Sequence, residues 1–312
     1  MRDAFLAALY AAAKTDHNVV LLTGDLGYGV FEEFEQRFAG QFFNVGVAEQ
    51  NMIGVATGLA LEGKRVVVYS IGNFTTLRCL EQIRNDACYH EVNLTVVAYG
   101  GGFGYGALGM SHHATEDIAI LRSLPGMTVI APGTAWEAGQ ATRALIERGG
   151  VGYLRLGKTT ADDCAGAVGG AFEIGRVRRL REGQDITLFC TGGIVAEALE
   201  AAKILSEHGI ECRVVSSHTI KPLDDEEVKR DVSETGGIVT VEEHNIVGGL
   251  GGAVAECCMD IGLAPRHFRR IGLGDIYSSI VGSQSYLRRR YGMDASAITS
   301  VVQELCSRGY KR

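Results

Sequence analysis

Apolar runs of strand length alternate with amphipathic runs of helix length along nearly the whole chain. The opening MRDAFLAALYAAAK repeats apolar residues at Phe5, Leu9 and Ala12, a helical spacing. NVVLLTGDLG then reads as a buried strand ending in a turn that carries Asp25. FFNVGVAEQ is a second short strand, and QNMIGVATGLALEG continues it as a helix stopped at Gly63. RVVVYSI is a third strand, followed by a helical run over TLRCLEQIRNDACY. VNLTVVAYG is a fourth, opening into a glycine-rich loop from Gly100 to Gly109. TEDIAILRSL gives a short helix, MTVIAP a strand, TAWEAGQATRALIERG a helix and VGYLRLG a last strand. This alternation predicts an α/β fold whose parallel sheet is covered on both faces.

Residues 159–170, TTADDCAGAVGG, lose the periodicity and read as a linker centred on 161–170. The pattern restarts with DITLFCTGG, a helix from Val195 to His208, ECRVVSS, a helix from Asp224, GGIVTVEEHN and a helix from Gly251 to Met259. The expected organisation is therefore a first domain over 1–160 and a second, smaller α/β domain over 171–312.

Composition narrows the function classes. With 46% hydrophobic and 21% charged residues, 312 residues can build two ordinary cores. A formal charge of -7 argues against a general nucleic-acid or anionic-membrane footprint. Glycine is abundant, at 42 against 4 prolines, which points to tight turns and close backbone approach to ligands. Residues 92–115 carry no charge and could span a bilayer by length, but they hold six glycines, Asn93 and the His112–His113 pair. The apolar N-terminal run contains Asp3 and reads as a helix, so a cytoplasmic chain is expected. None of the eight cysteines forms a CxxC, and no second ligand set accompanies the two histidines. Buried reduced thiols and no metal site on this chain are the expectation.

Two features carry candidate chemistry. GYGALG, from Gly104 to Gly109, matches a dinucleotide fingerprint, but the next strand ends in Ala131-Pro132 where the ribose-binding acid would stand. Nicotinamide binding is rejected on that ground, and no GxxxxGK[ST] is present. Glu49 sits in GVAEQN where a strand passes into a helix. Taken alone it is a helix N-terminal carboxylate interacting with the dipole.

Its surroundings change that reading. GVAEQN with GLALEG resembles the pyrimidine-domain motif of the thiamine-diphosphate-dependent transketolases. The resemblance continues through YSIGNF, LEQIRND, SHHATEDIAILRSLPGMTVIAP and YLRLGK, and in the second half through VTVEEHNIVGGLGGAVAE. Over nearly its whole length the chain looks like the C-terminal section of a split transketolase, a pyrimidine-binding domain followed by a transketolase C-terminal domain. The family's diphosphate motif, GDG with a later Asn, is missing: TGDLG at 23–27 lacks the final glycine and the Asn. The resemblance thus implies a partner subunit that holds the diphosphate and Mg2+ (or Ca2+), in an α2β2 heterotetramer.

By the same resemblance, Glu49 hydrogen-bonds a ring nitrogen of the aminopyrimidine, from an apolar setting that favours its protonated form. Phe74 packs on the pyrimidine, with Ile71 one turn earlier and Asp25 near the cofactor. His112 contacts the reacting end of the sugar and assists proton transfer. His113 stands where glutamine is common. Arg2 and Arg155 fall where arginines grip a sugar phosphate. Two polar groups usual in the family are absent, a histidine replaced within Gly100–Gly102 and an aspartate replaced by Leu108. The implied activity is transfer of a two-carbon ketol unit from a ketose, as the phosphate, to an aldehyde. The alternatives are the beta subunit of a 2-oxo acid dehydrogenase or acyloin synthase, and a non-catalytic partner subunit. In the second domain, VEEHNIVGGLGG resembles a loop preceding a helix, with Glu242 and His244 expected at an interface and outside the catalytic set.

Overall fold

A computed structural model describes residues 1–161 and 171–307. Apart from Ala161, the expected linker core lies outside the described residues, as does Cys164. The first half runs α1 (Arg2–Thr15), β1 (Val19–Thr23), α2 (Glu32–Arg37), β2 (Phe42–Asn44), α3 (Glu49–Leu61), β3 (Arg65–Ile71), α4 (Gly72–Thr75), α5 (Leu80–Gln82), β4 (Leu94–Tyr99), α6 (Asp117–Arg122), β5 (Thr128–Ile130), α7 (Ala135–Arg148) and β6 (Val151–Leu156). The second runs β7 (Arg178–Arg181), β8 (Ile186–Thr191), α8 (Val195–Glu207), β9 (Cys212–Ser216), β10 (Thr219–Lys221), α9 (Asp225–Glu234), β11 (Ile238–Asn245), α10 (Leu250–Asp260), β12 (Phe268–Leu273), α11 (Gln284–Arg290) and α12 (Ala295–Ser307).

Two sheets result, in the orders β10-β5-β6-β4-β3-β1-β2 and β12-β11-β8-β9-β7. Every pairing is parallel except β10 with β5 and β7 with β9. The fully buried runs β1, β6 and β8 are covered on both faces, as continuous apolar strands require. Helix α1 buries Phe5, Ala8, Leu9 and Ala13, its apolar stripe. The two large side chains, each fully buried, are worth about 1.5–3 kcal/mol apiece. Helix α7 is started by Thr134, whose hydroxyl accepts from Glu137 N at 3.1 Å.

Several elements differ from those the sequence predicts. TLRCLEQIRNDACY is not one helix: the short α5 passes into a π-helical stretch over Ile83–Cys88. Strand β7 is RRLR, with no apolar alternation to reveal it. Strand β10 crosses from the second half to cap the free edge of β5, with Thr219 opposite Ile130 and Ala131 N donating to His218 O at 2.8 Å. The two halves therefore share a sheet.

His218 lies at this seam, stacked on Phe172 at 4.3 Å. Burial, and next the charge of Arg178, pull it down to about 3. Unfolded, it titrates near 6.5. The native form binds fewer protons, so this contribution to stability is complete above pH 6.5 and is lost as pH falls toward 3. His218→Gln should flatten the acid limb of a stability-against-pH curve by up to about 1.4 kcal/mol per pH unit. An unchanged slope between pH 6.5 and 4 would discount the histidine.

Candidate active site

The carboxyl ends of parallel strands are where an open α/β sheet gathers a site. Here the ends of β1, β3 and β4 deliver Asp25, Ile71 and the Gly100 loop, and α3 begins at Glu49. Glu49 is 2% exposed, and its Oε2 accepts from Arg78 Nη1 at 2.7 Å. Its Oε1 accepts no hydrogen bond from any described residue. The setting is thus more polar than the apolar one expected, because a half-exposed guanidinium reaches in. A Cβ at Gly24 would lie 3.5 Å from Glu49 Cγ, so the end of β1 lies against the carboxylate arm.

Arg78 also lies over Phe74, its Cζ 4.5 Å from the ring centroid. His112 meets the same ring edge-on at 5.2 Å. Glu49, Arg78, Phe74 and His112 therefore form one contiguous cluster. Asn73 fixes the turn that presents the histidine, its Nδ2 donating to Ser111 O at 3.2 Å and His113 O at 2.7 Å. Ile71, half-buried, leads into α4, the turn that carries Phe74. Arg78 is a candidate that the sequence does not single out; its position four residues after Phe74 is the available signal.

Asp25 adopts a left-handed φ of 54° and is held by Asn44. Asp25 N donates to Asn44 Oδ1 at 2.9 Å, and Asn44 Nδ2 donates to Asp25 Oδ1 at 3.1 Å. It lines a cavity of about 230 Å3 with Thr23, Tyr28, Glu32 and Asn44. Arg2 opens α1, pairs with Asp3 at 3.5 Å and lies 5.9 Å from the Tyr99 ring. A cavity of about 530 Å3 lies elsewhere, at the domain seam between Trp136, His218 and Asp224.

Two expected substrate residues sit differently. Arg155 is 5% exposed, with Nε donating to Asp117 Oδ2 at 2.8 Å and Nη2 to Ala114 O at 2.7 Å and Glu243 O at 3.0 Å. Tyr153 donates to the same Asp117 at 2.5 Å. This guanidinium spends Nε and Nη2 on Asp117 and on carbonyls of both halves, which it ties together. His113 is also buried, with Nε2 at 3.2 Å from Gly106 O and its ring edge-on to Phe103 at 5.1 Å. It braces the loop and leaves the cleft to His112. Lys158, three residues after Arg155, is exposed and forms no ion pair with any described residue.

The second half holds the loop from behind. Glu243 Oε1 accepts from Phe103 N at 2.6 Å and Gln284 Nε2 at 2.8 Å, and its Oε2 is paired with Arg288. Gly102, at φ 62°, has no room for a side chain beside Glu243. Next to it, Glu242 receives Leu250 N at 2.7 Å and Gly251 N at 2.8 Å at the start of α10. Burial nevertheless pushes Glu242 up to about 7. Burial pulls His244 down to about 4, and its Nε2 accepts from Ala119 N at 3.3 Å across the interface. Replacing Glu243 by alanine should leave Phe103 N unpaired and Arg288 buried without its main partner. Hydrogen exchange at Phe103 is expected to speed up at least tenfold, and an unchanged rate would show that the clamp is slack.

Among the described residues no cluster of His, Cys, Asp or Glu could hold a metal ion, and no helix is long and apolar enough to cross a membrane. Comparison with known proteins places this geometry. Residues 1–162 match the family described as transketolase, pyrimidine binding domain, and residues 175–298 the transketolase C-terminal domain. One chain of an apulose-4-phosphate transketolase from Phocaeicola vulgatus is 34% identical over 97% of this chain and 96% of its own length. A 6-deoxy-6-sulfo-D-fructose transketolase subunit from a Clostridium species is 36% identical, over 99% and 95%. A split gene transketolase, solved as an inactive beta4 tetramer, superposes with a TM-score of 0.85 at 34% identity, over 98% of this chain and 97% of its own. The chain belongs to the transketolase family and corresponds to the C-terminal section of a split transketolase, with the pyrimidine-binding and C-terminal domains.

Proposed function

We propose that this chain is the small subunit of a heteromeric transketolase, moving a two-carbon ketol unit from a ketose donor to an aldehyde acceptor. The reading calls for thiamine diphosphate, which when bound supplies the nucleophilic carbon that carries the two-carbon unit. Glu49 is the observation that supports it most: a buried carboxylate with one oxygen on Arg78, the other without a donor, and an aromatic ring beside it. That arrangement fits an aminopyrimidine. Glu49 Oε1 would share a proton with a ring nitrogen, and Phe74 would offer its face. His112, packed on Phe74, would hold or pass a proton at the sugar's reacting end. Ile71 and Asp25 complete the cofactor wall in this reading.

Arg2 remains the proposed anion contact, with Lys158 joining it in place of Arg155. His113 serves the loop. The named relatives act on a ketose phosphate and a ketose sulfonate, so an anionic far end is the shared chemistry of their substrates. A ketose phosphate donor is the first to test here, with a sulfonated ketose beside it. The diphosphate and Mg2+ (or Ca2+) would be held by a partner chain bearing GDG and a later Asn, in an α2β2 assembly. A split transketolase whose beta4 tetramer is inactive agrees with that need.

The test is reconstitution. The tagged chain should co-purify with the diphosphate-binding subunit, and the complex should turn over ketose phosphates or sulfonates with an aldehyde acceptor. Turnover of 2-oxo acids instead would move the assignment to the decarboxylating alternative. A chain that binds thiamine diphosphate with metal and turns over alone would sink the half-site reading.

A further inference from the structure

The Gly100 loop is built around one side chain that the chemistry above leaves without a task. Gly100 adopts a φ of 89°, and a Cβ there would fall 2.2 Å from Cδ2 and 2.3 Å from Cε2 of Tyr105, against the edge of the ring. Tyr105 therefore fills the volume that a side chain at position 100 would take. Its ring lies edge-on to His112 at 6.3 Å and to Tyr99 at 5.9 Å. Beyond Tyr99 stands Arg2, 5.9 Å from that ring. The contacts thus run in the order Phe74, His112, Tyr105, Tyr99 and Arg2.

The tyrosine is half-buried, and its hydroxyl makes no hydrogen bond to any described residue. Burial raises its pKa, with Tyr99 adding to the rise and Arg2 opposing it, so the phenol is neutral at pH 7. A neutral phenol both donates and accepts, which suits a sugar hydroxyl and not an anion. The backbone holds the ring in place: Tyr105 O accepts from Leu108 N at 2.9 Å as the following 3-10 turn begins. Leu108 itself is exposed and offers no polar group.

We propose that Tyr105 is a specificity-determining residue, reading a hydroxyl in the middle of the sugar chain between the reacting end at His112 and the anionic end at Arg2. The assignment rests on the transketolase reading of the site. It gives the cleft one neutral reader where the loop has glycines and a leucine in place of polar groups. A site built to bond a hydroxyl discriminates against substrates that lack it, because its own polar group is then left unpaired.

The experiment uses the complex with its partner subunit, Tyr105→Phe, and four aldehyde acceptors: glycolaldehyde, D-glyceraldehyde, D-erythrose and D-ribose 5-phosphate. Phenylalanine keeps the ring and its packing, so a purely structural role would not be disturbed, and an unchanged melting temperature verifies that. For erythrose and ribose 5-phosphate, kcat/KM is expected to fall about tenfold, the scale of one hydrogen bond. Glycolaldehyde, which has no hydroxyl further along its chain, should change less than twofold. Equal loss on all acceptors, or no loss on any, would overturn the role given to Tyr105. A wild-type complex that uses none of the four acceptors with any ketose donor would overturn the transketolase reading beneath it.

Discussion

Glu49→Gln in the assembled enzyme is expected to lower turnover by about 10^2- to 10^4-fold, the range set by loss of a positioned proton-sharing group. The substitution preserves shape and removes only the charge and the shared proton. Its structural cost should be small: Arg78 loses a partner but is 43% exposed, so water replaces much of that pair. Calorimetry should show thiamine diphosphate and metal still binding, since the diphosphate is proposed to sit on the other chain. The control is Arg78→Gln, which frees Oε2 while leaving the carboxyl in place. If Arg78 only orders the Glu49 carboxylate, that variant should lose far less turnover than the glutamate variant. Glu49→Gln turning over within threefold of wild type would remove Glu49 from the chemistry and favour a non-catalytic partner subunit.

Arg155→Met should act on stability and not on substrate affinity. Arg155 and Asp117 are both buried, and their pair also serves Tyr153, Ala114 O and Glu243 O. Removing one partner strands the other charge in the interior, at a cost of about 3–5 kcal/mol. Asp117→Leu should cost a similar amount, leaving Arg155 with only its carbonyl acceptors. The double variant Arg155→Met with Asp117→Leu should cost less than the two singles together, because neither charge is left without its counterpart. Denaturant midpoints of the four proteins measure this directly. A stable Arg155→Met variant with a raised KM for phosphorylated substrates would return the residue to the substrate set.

The fate of that arginine shows where sequence reading stops. Order and type of the main elements follow from short-range patterns: apolar runs in β1, β6 and β8, a 3.6-residue stripe in α1, the Thr134 cap before α7. The strand-to-helix passage at GVAEQN put a carboxylate at a helix start, and that too is local. An arginine in a buried strand is ambiguous by the same rules. Whether it faces substrate or protein depends on an acceptor 38 residues away, Asp117, and one 88 away, the Glu243 carbonyl. No periodicity encodes such pairings.

The chain by itself determined the α/β alternation, the absence of the GDG motif and the run of residues that carries Glu49, Phe74 and His112. Those depend on residue type and near neighbours. The tertiary structure alone decided that β10 completes the first sheet, that Arg78 bridges Glu49 and Phe74, and that His113 turns inward while His112 meets the ring. It also set Glu243 behind the Gly100 loop and Tyr105 in the space above Gly100. Each of these is a contact between segments far apart in sequence. Packing density fixes such contacts, because two groups cannot share a volume and a buried polar atom must find its partner wherever the chain has brought one.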